Sequence, residues 1–304
     1  MKTGGWHREQ DLYSCLALQG PSACPTRLGL EPDRGNGVAD IGCNARHDRR
    51  LGVVTLHSSP GRGIDRWTLD LNDAVAGADV IMLATPVAAT NRLLPQVAAN
   101  LGENTIVTDA GSVKGSVARA ADGALGERAS HFVPGHPIAG AENSGVEASR
   151  VDLFQGQRVI LTPLPSTGAR ALERVREIWE MTGASVSEMD PDSHDRLLAL
   201  TSHLPHALAF CLVNMLADQS NADECYELAA SGFYDITRIA SSDPVMWRDI
   251  FLGNQDAVLS RLAEYGEGIG NLMRLIESGD ADGLLAEFRK SNISRSLIQS
   301  RRST

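Results

Sequence analysis

The chain has 304 residues, with 28 lysines and arginines against 38 aspartates and glutamates, a formal net charge of −10. This length predicts two domains, and an acidic balance with only short basic clusters such as Arg49-Arg50 and Arg301-Arg302 argues against a nucleic-acid partner. No run approaches the roughly 18 apolar residues of a membrane helix, and the start lacks the apolar stretch of a secretory signal, so no membrane partner is expected.

Residues 1–62 are rich in Gly, Arg, Asp, Pro and Cys and show little periodicity. Within them, 51–56 reads as a strand and 10–18 admits a short helix. The five cysteines (Cys15, Cys24, Cys43, Cys211, Cys225) are odd in number and form no Cys-x-x-Cys pair. That pattern predicts free thiols in a reducing cytoplasm.

From Gly63 to residue 189, strand and helix signals alternate. The apolar run 79–84 reads as a strand buried on both faces. Pro86 stops it, and helical spacing through Leu93, Leu94 and Val97 follows over 87–101. A strand at 105–108 leads through a Gly-Ser turn to a helix from about Val113. Residues 131–133, 158–161 and 184–186 are further strands, and 166–182 is a helix opened by a capping Ser166 and closed by Gly183. Strands alternating with helices of this length predict an α/β domain on a mostly parallel, Rossmann-like sheet over 1–189. From Asp190 every long segment is helical, giving a second, all-helical domain over 190–304. There Val258, Leu262, Tyr265, Ile269, Leu272 and Ile276 form an apolar stripe that packs on other helices, within the chain or across a dimer.

Five stretches could carry chemistry. Thr85-Pro86-Val87 follows a strand, where parallel sheets bind ligands and helix N-termini offer N–H groups to phosphate; the plainer reading is a strand stop. Asp109-Ala-Gly111-Ser112-Val-Lys114 offers a close backbone approach, a hydroxyl and a cation, or else a turn with Ser112 capping the next helix. His136, between Gly135 and Pro137 after a strand, sits on a constrained loop with little packing reason to be there, and its imidazole suits a general base. His194-Asp195 and His203-Leu-Pro-His206 place polar groups in an apolar helical run; zinc is the competing idea, without a third ligand at a convincing spacing. Arg238 lies between Ile236 and Ile239, a setting that predicts partial burial. It wants a carboxylate or phosphate there, from a ligand or from Asp235 or Asp243 in a structural ion pair.

In order and at compatible spacings, Ala84-Thr-Pro-Val87, Asp109-Ala-Gly-Ser-Val-Lys114, Gly135-His-Pro-Ile-Ala-Gly140, His194-Asp195, Ser202-His-Leu-Pro-His206 and Gly232-Phe-Tyr-Asp-Ile-Thr-Arg238 resemble the prephenate/arogenate dehydrogenase family. The resemblance covers residues from about Gly63 to Arg289. It implies oxidative decarboxylation of prephenate (or arogenate), to 4-hydroxyphenylpyruvate in the prephenate case, with NAD or NADP as hydride acceptor, in a cytoplasmic homodimer. On that pattern His136 takes the hydroxyl proton, Ser112 bonds both His136 and the substrate, and His206 reaches the substrate from the helical domain. Arg238 holds a substrate carboxylate and Glu142 joins the substrate site. Thr85, Pro86, Val87, Asp109 and Gly111 line the cofactor, while His194, Asp195 and Trp247 support the pocket or the dimer. No metal is implied.

One departure stands out. Residues 1–62 lack the Gly-x-Gly-x-x-Gly turn of a cofactor-binding half; Gly35-Asn-Gly37 is followed by Gly42 at the wrong spacing. The break is what a shifted reading frame or mis-set start would leave; the blander alternative is a diverged nucleotide-binding half. The alternative function is therefore an impaired family member acting only as a substrate-binding or dimerisation module. A β-hydroxyacid or imine reductase would place a catalytic lysine at the start of the helical domain, and no lysine lies between Lys114 and Lys290.

Overall fold

The computed structural model describes residues 70–139 and 152–302, with the backbone of three strands before them, β1 (Ser14–Leu18), β2 (Gly52–Leu56) and β3 (Arg66–Thr68). The absent glycine-rich turn and the shifted frame concern residues outside this set, and so does Glu142. The strand expected at 51–56 is β2, whereas 10–18 yields a strand, β1, and not the short helix. The apolar stretch Cys15–Leu18 is barely one helical turn, too short to nucleate a helix but enough for a sheet strand.

The next elements are α1 (Leu71–Val75), β4 (Val80–Leu83), α2 (Val87–Ala99), β5 (Ile106–Asp109), α3 (Gly115–Leu125) and β6 (Phe132–Val133). Asp70 starts α1 by accepting the Asn72 and Asp73 amides at 2.8 and 3.3 Å. The six strands form one sheet in the order β3-β2-β1-β4-β5-β6. It is mostly parallel, with β1/β2, β4/β5 and β5/β6 parallel and β1/β4 and β2/β3 antiparallel. All of β4 is buried, as its unbroken Val-Ile-Met-Leu run requires. Pro95 lies inside α2, but on its exposed side.

A second sheet holds β7 (Gly135–Ile138), β8 (Arg158–Leu161) and β9 (Ser185–Glu188) in that order, β7/β8 antiparallel and β8/β9 parallel. His136 is therefore on a strand, opposite Ile160, and not on a loop. Pro137, which has no N–H to donate, is tolerated because β7 is an edge strand. Between β8 and β9 lies α4 (Ala169–Met181). Gly183 follows it at φ +80° as anticipated, but the helix starts after Gly168 with no side-chain cap, so Ser166 does not open it.

The core has two parts. Ile81, Leu83, Leu94, Val107, Val117 and Phe132 belong to one cluster, closed by Trp247 and Ile250 from further along the chain. Met82, Val133, Val159, Leu161, Val175 and Trp179 form the other, beneath α4. The helical part begins with α5 (Pro191–Leu198), capped by Asp190 on the Ser193 amide at 2.8 Å. A π-turn over Ala199–His203 joins it to α6 (Leu204–Ala217). The π-turn precedes Pro205, whose missing N–H interrupts the regular ladder. The continuous helix Pro191–Ala217 has the length and mean hydropathy, 1.4, of a membrane span. Only 28% of its most apolar stretch is buried in the single chain, while His194, Asp195 and His203 on it bond to other parts of the chain, as described below. Then come α7 (Ala222–Leu228), α8 (Ser231–Thr237), a 3-10 turn over Arg238–Ser241, and α9 (Pro244–Gly253).

The chain divides by packing into two compact units, Met1–Gln255 and Asp256–Thr304. The second consists of α10 (Gln255–Glu277) and α11 (Ala281–Arg302), joined by a turn with Gly279 at φ +65°. Tyr265, Ile269 and Ile276 of the α10 stripe are exposed in the single chain, as are Ile293 and Leu297 of α11.

Candidate active site

β4, β5 and β6 are in register, Leu83 beside Asp109 and Thr108 beside Val133. Their C-terminal ends therefore bring three segments to one edge of the sheet: 84–86, 110–114 and the start of β7. This is where open α/β sheets bind ligands.

Asp109 ties these segments together. Its Oδ2 accepts the Gly111 amide at 2.9 Å and pairs with Lys114 Nζ, while Oδ1 accepts the Gly135 amide at 3.1 Å. Lys114 Nζ also donates to the Gly135 carbonyl at 2.6 Å. Both side chains are fully buried, so Lys114 is not a cation offered to a ligand. Burial lowers its pKa, against the opposing pull of Asp109. The strands approach closely here: a Cβ on Gly135 would lie 3.0 Å from the Asp109 carbonyl and 3.3 Å from Leu161.

A second chain of bonds joins the helical part to β7. His136 Nδ1 lies 2.8 Å from His194 Nε2, and His194 Nδ1 lies 2.8 Å from Asp195 Oδ1. A carboxylate can only accept, so His194 Nδ1 carries hydrogen and one further hydrogen is shared between the two histidines. Asp195 also accepts the Lys114 and Gly115 amides, each at 2.8 Å. The cap of α3 is thus Asp195 from the helical part, not Ser112. Gly115 makes room for it, since a Cβ there would meet Asp195 Oδ2 at 2.9 Å. Burial, with His194, Lys114 and His203 nearby, holds the His136 pKa well below the usual histidine value.

Behind this chain, Asn254 Nδ2 donates to the Asp195 carbonyl at 2.8 Å and to His203 Nδ1 at 3.2 Å. Burial lowers His203 to about 4, which keeps it a neutral acceptor for that amide. His206 stacks on Trp247 with ring centres 3.6 Å apart, and its Nδ1 donates to the Ser202 carbonyl at 2.9 Å. Nε2 is then its lone-pair nitrogen. Burial also lowers the His206 pKa, partly offset by the bond to Ser202.

The structure thus unites His136 with the His194-Asp195 pair, 58 residues away in the sequence. His136 is bonded to His194 and not to Ser112, which is half-buried on the neighbouring turn. Arg238 is exposed in the single chain and not partly buried, because α8 and the turn after it lie on the surface. His194, His203 and His206 turn their Nδ1 atoms to three different partners. Among the described residues no group of three or more metal-binding side chains converges. No local feature of the chain marks Asn254. The pairing of Asp109 with Lys114 was readable as opposite charges five apart across a tight turn.

A dinucleotide fits the strand ends. The first turn of α2 has no side-chain cap, Pro86 preceding it, so its N–H groups remain available to a phosphate. Beside it, Thr85 bonds Thr90 at 2.6 Å between the hydroxyls and fixes the turn.

The chain is similar to known proteins. The family model for the prephenate dehydrogenase nucleotide-binding domain matches residues 62–188, and that for the prephenate dehydrogenase dimerization domain matches 190–290. Cyclohexadienyl dehydrogenase of Zymomonas mobilis is 37% identical over 237 residues, 77% of this chain and 80% of that protein. The chain belongs to the prephenate dehydrogenase family. Prephenate dehydrogenase of Bacillus subtilis is 39% identical over 71% of this chain, which spans only 58% of that protein's length. The crystal structure of the Aquifex aeolicus prephenate dehydrogenase with hydroxyphenyl propionate and NAD+ superposes with a TM-score of 0.69 at 38% identity. That match covers 75% of this chain and 78% of the other. Nothing in these matches supports the alternative of an impaired binding module.

Proposed function

We propose that this family member oxidises and decarboxylates prephenate, with arogenate the runner-up substrate and NAD or NADP the cofactor. The observation that carries the reading is His136. It is a buried histidine at the end of the sheet, kept in its neutral form and bonded through one ring nitrogen to the helical part.

Thr85, Pro86, Val87 and the turn at Gly111 would hold the cofactor, which would supply the hydride acceptor. Asp109 contributes by bracing that turn, since its carboxylate is fully occupied by Lys114, Gly111 and Gly135. His136 takes the proton of the ring hydroxyl as the carbon beneath it is oxidised. It returns the proton to the same oxygen when the electron pair of the departing carboxylate enters the ring. His206 and Ser112 orient the substrate, Glu142 is assigned to the substrate site on the family resemblance alone, and Arg238 holds a substrate carboxylate. The division at 189/190, an α/β cofactor half and a helical half, is supported by the change to all-helical structure at Pro191.

A homodimer is supported by the exposed apolar residues of α10 and α11, and a cytoplasmic location by the free thiols Cys211 and Cys225. Light scattering of the purified chain tests the first. The function is tested by following NAD(P)H formation with prephenate, then arogenate, each with NAD+ and NADP+. Turnover with one pair, abolished in His136→Gln, is expected. A folded protein that turns over no pair overturns the reading.

A further inference from the structure

We infer that Asp195 and His194 are positioning residues for His136, fixing which of its ring nitrogens carries hydrogen. The inference rests on the function proposed above, with His136 as the base.

The bonding runs in one direction. Asp195 accepts hydrogen from His194 Nδ1 and from the backbone amides of Lys114 and Gly115, and has no hydrogen to give. With His194 neutral, its Nδ1 is the N–H and its Nε2 the lone pair. That lone pair accepts the hydrogen of His136 Nδ1, 2.8 Å away. His136 Nε2 is then left with the lone pair a base needs. When Nε2 takes the substrate proton, the imidazolium keeps its Nδ1–H on His194, and the Asp195 carboxylate offsets the new charge through the His194 ring. When the proton returns to the ring oxygen, both histidines are as they began. No other oxidant, reductant or proton donor is needed.

The anchoring is unusually firm for a side chain supplied by another part of the fold. His194 has no exposed surface, Asp195 is 7% exposed, and the Asp195 carbonyl is held in addition by Asn254. Asp195 caps α3, whose preceding turn carries Ser112, so one carboxylate sets both the base and the turn beside the substrate. The charged and titratable groups around His136 are Lys114, paired to Asp109, together with His194, His203 and Asp195.

The test uses the full chain and three variants. His194→Leu removes the acceptor, and His194→Gln returns one through Oε1. Asp195→Asn removes the negative charge but keeps an oxygen where Asp195 Oδ1 accepts both His194 Nδ1 and the Lys114 amide. Nitrogen-15 NMR of the imidazoles reads the tautomer without any substrate. The expected result is Nδ1–H on His136 in the parent protein and in Asp195→Asn, and a mixture in His194→Leu. In steady state, kcat should fall about 100-fold or more in His194→Leu and Asp195→Asn, with KM changed only a few-fold, and His194→Gln should recover part of the loss. A parent His136 carrying hydrogen on Nε2, or a His194→Leu variant with the parent kcat, overturns the inference. If the parent is inactive on every substrate, the function reading fails instead, and the NMR result still decides the tautomer.

Discussion

Asp109 and Lys114 form an ion pair with no exposed surface on either side chain, at the point where three segments leave the sheet. Neither charge can return to water without opening the fold. Removing one partner therefore leaves a buried group uncompensated, whereas removing both removes the problem along with the attraction. Lys114→Met should cost about 3 kcal/mol or more, read as a lower midpoint in urea unfolding. Asp109→Leu/Lys114→Met should cost less than the sum of the two single changes. Additive losses would mean the two groups act independently.

The pH dependence of kcat follows from His136. The base must be neutral to accept a proton, and its pKa lies well below 6.5, first through burial and then through His194, Lys114 and His203. Activity should hold as pH falls through 6.5 and decline only beneath it. A profile of kcat against pH checks this; an acid limb at 6.5 or above would mean that water reaches the ring freely.

What could be read in the sequence was what is local. Val80–Leu83 announces a buried strand because every residue in it is apolar, and Gly183 ends α4 because its φ is +80°. His136 is recognisable as chemistry, yet the flanking Gly135 and Pro137 point to a loop. The strand it occupies exists only through pairing with β8, opposite Ile160. Ser112 was likewise the nearest plausible cap for α3, but the helix takes Asp195 from 80 residues away. Local signals lose to such distant partners, and Asn254, bonded to the Asp195 carbonyl 59 residues back, had no local signal at all.

His203 should make stability depend on pH. In the unfolded chain it titrates near 6.5, but in the fold its pKa is about 4, so between these values only the unfolded state binds the proton. The unfolded state gains as pH falls, and the contribution present above pH 6.5 is lost towards pH 4. The full difference is about 3 kcal/mol. Urea midpoints at pH 7 and pH 4.5 should differ accordingly. His203→Phe should show a smaller difference, together with lower stability at pH 7 because the Asn254 amide loses its acceptor.

Arg238 is exposed in the single chain, so its replacement should spare the fold. If it binds a substrate carboxylate, Arg238→Ala should raise KM about 10-fold or more with little change in Tm. Arg238→Lys should recover only part of the loss, because an ammonium lacks the planar two-pronged geometry. An unchanged KM would remove Arg238 from the substrate site.

Gly115 offers the most selective probe of how the two halves meet. At the first position of α3 its backbone is helical, and a helix tolerates alanine there better than glycine. On local grounds Gly115→Ala should stabilise. The structure reverses that expectation, since the new Cβ would stand 2.9 Å from Asp195 Oδ2. The carboxylate cannot swing aside cheaply, being held by the amides of residues 114 and 115 and by His194. A shift of a few tenths of an ångström must pass along the bonds to His194 and His136. Gly115→Ala should therefore lower kcat by about 10-fold or more while KM for the cofactor stays near its parent value. Parallel measurement of Tm separates the two effects: a raised Tm with the parent kcat would mean that Asp195 does not sit against α3.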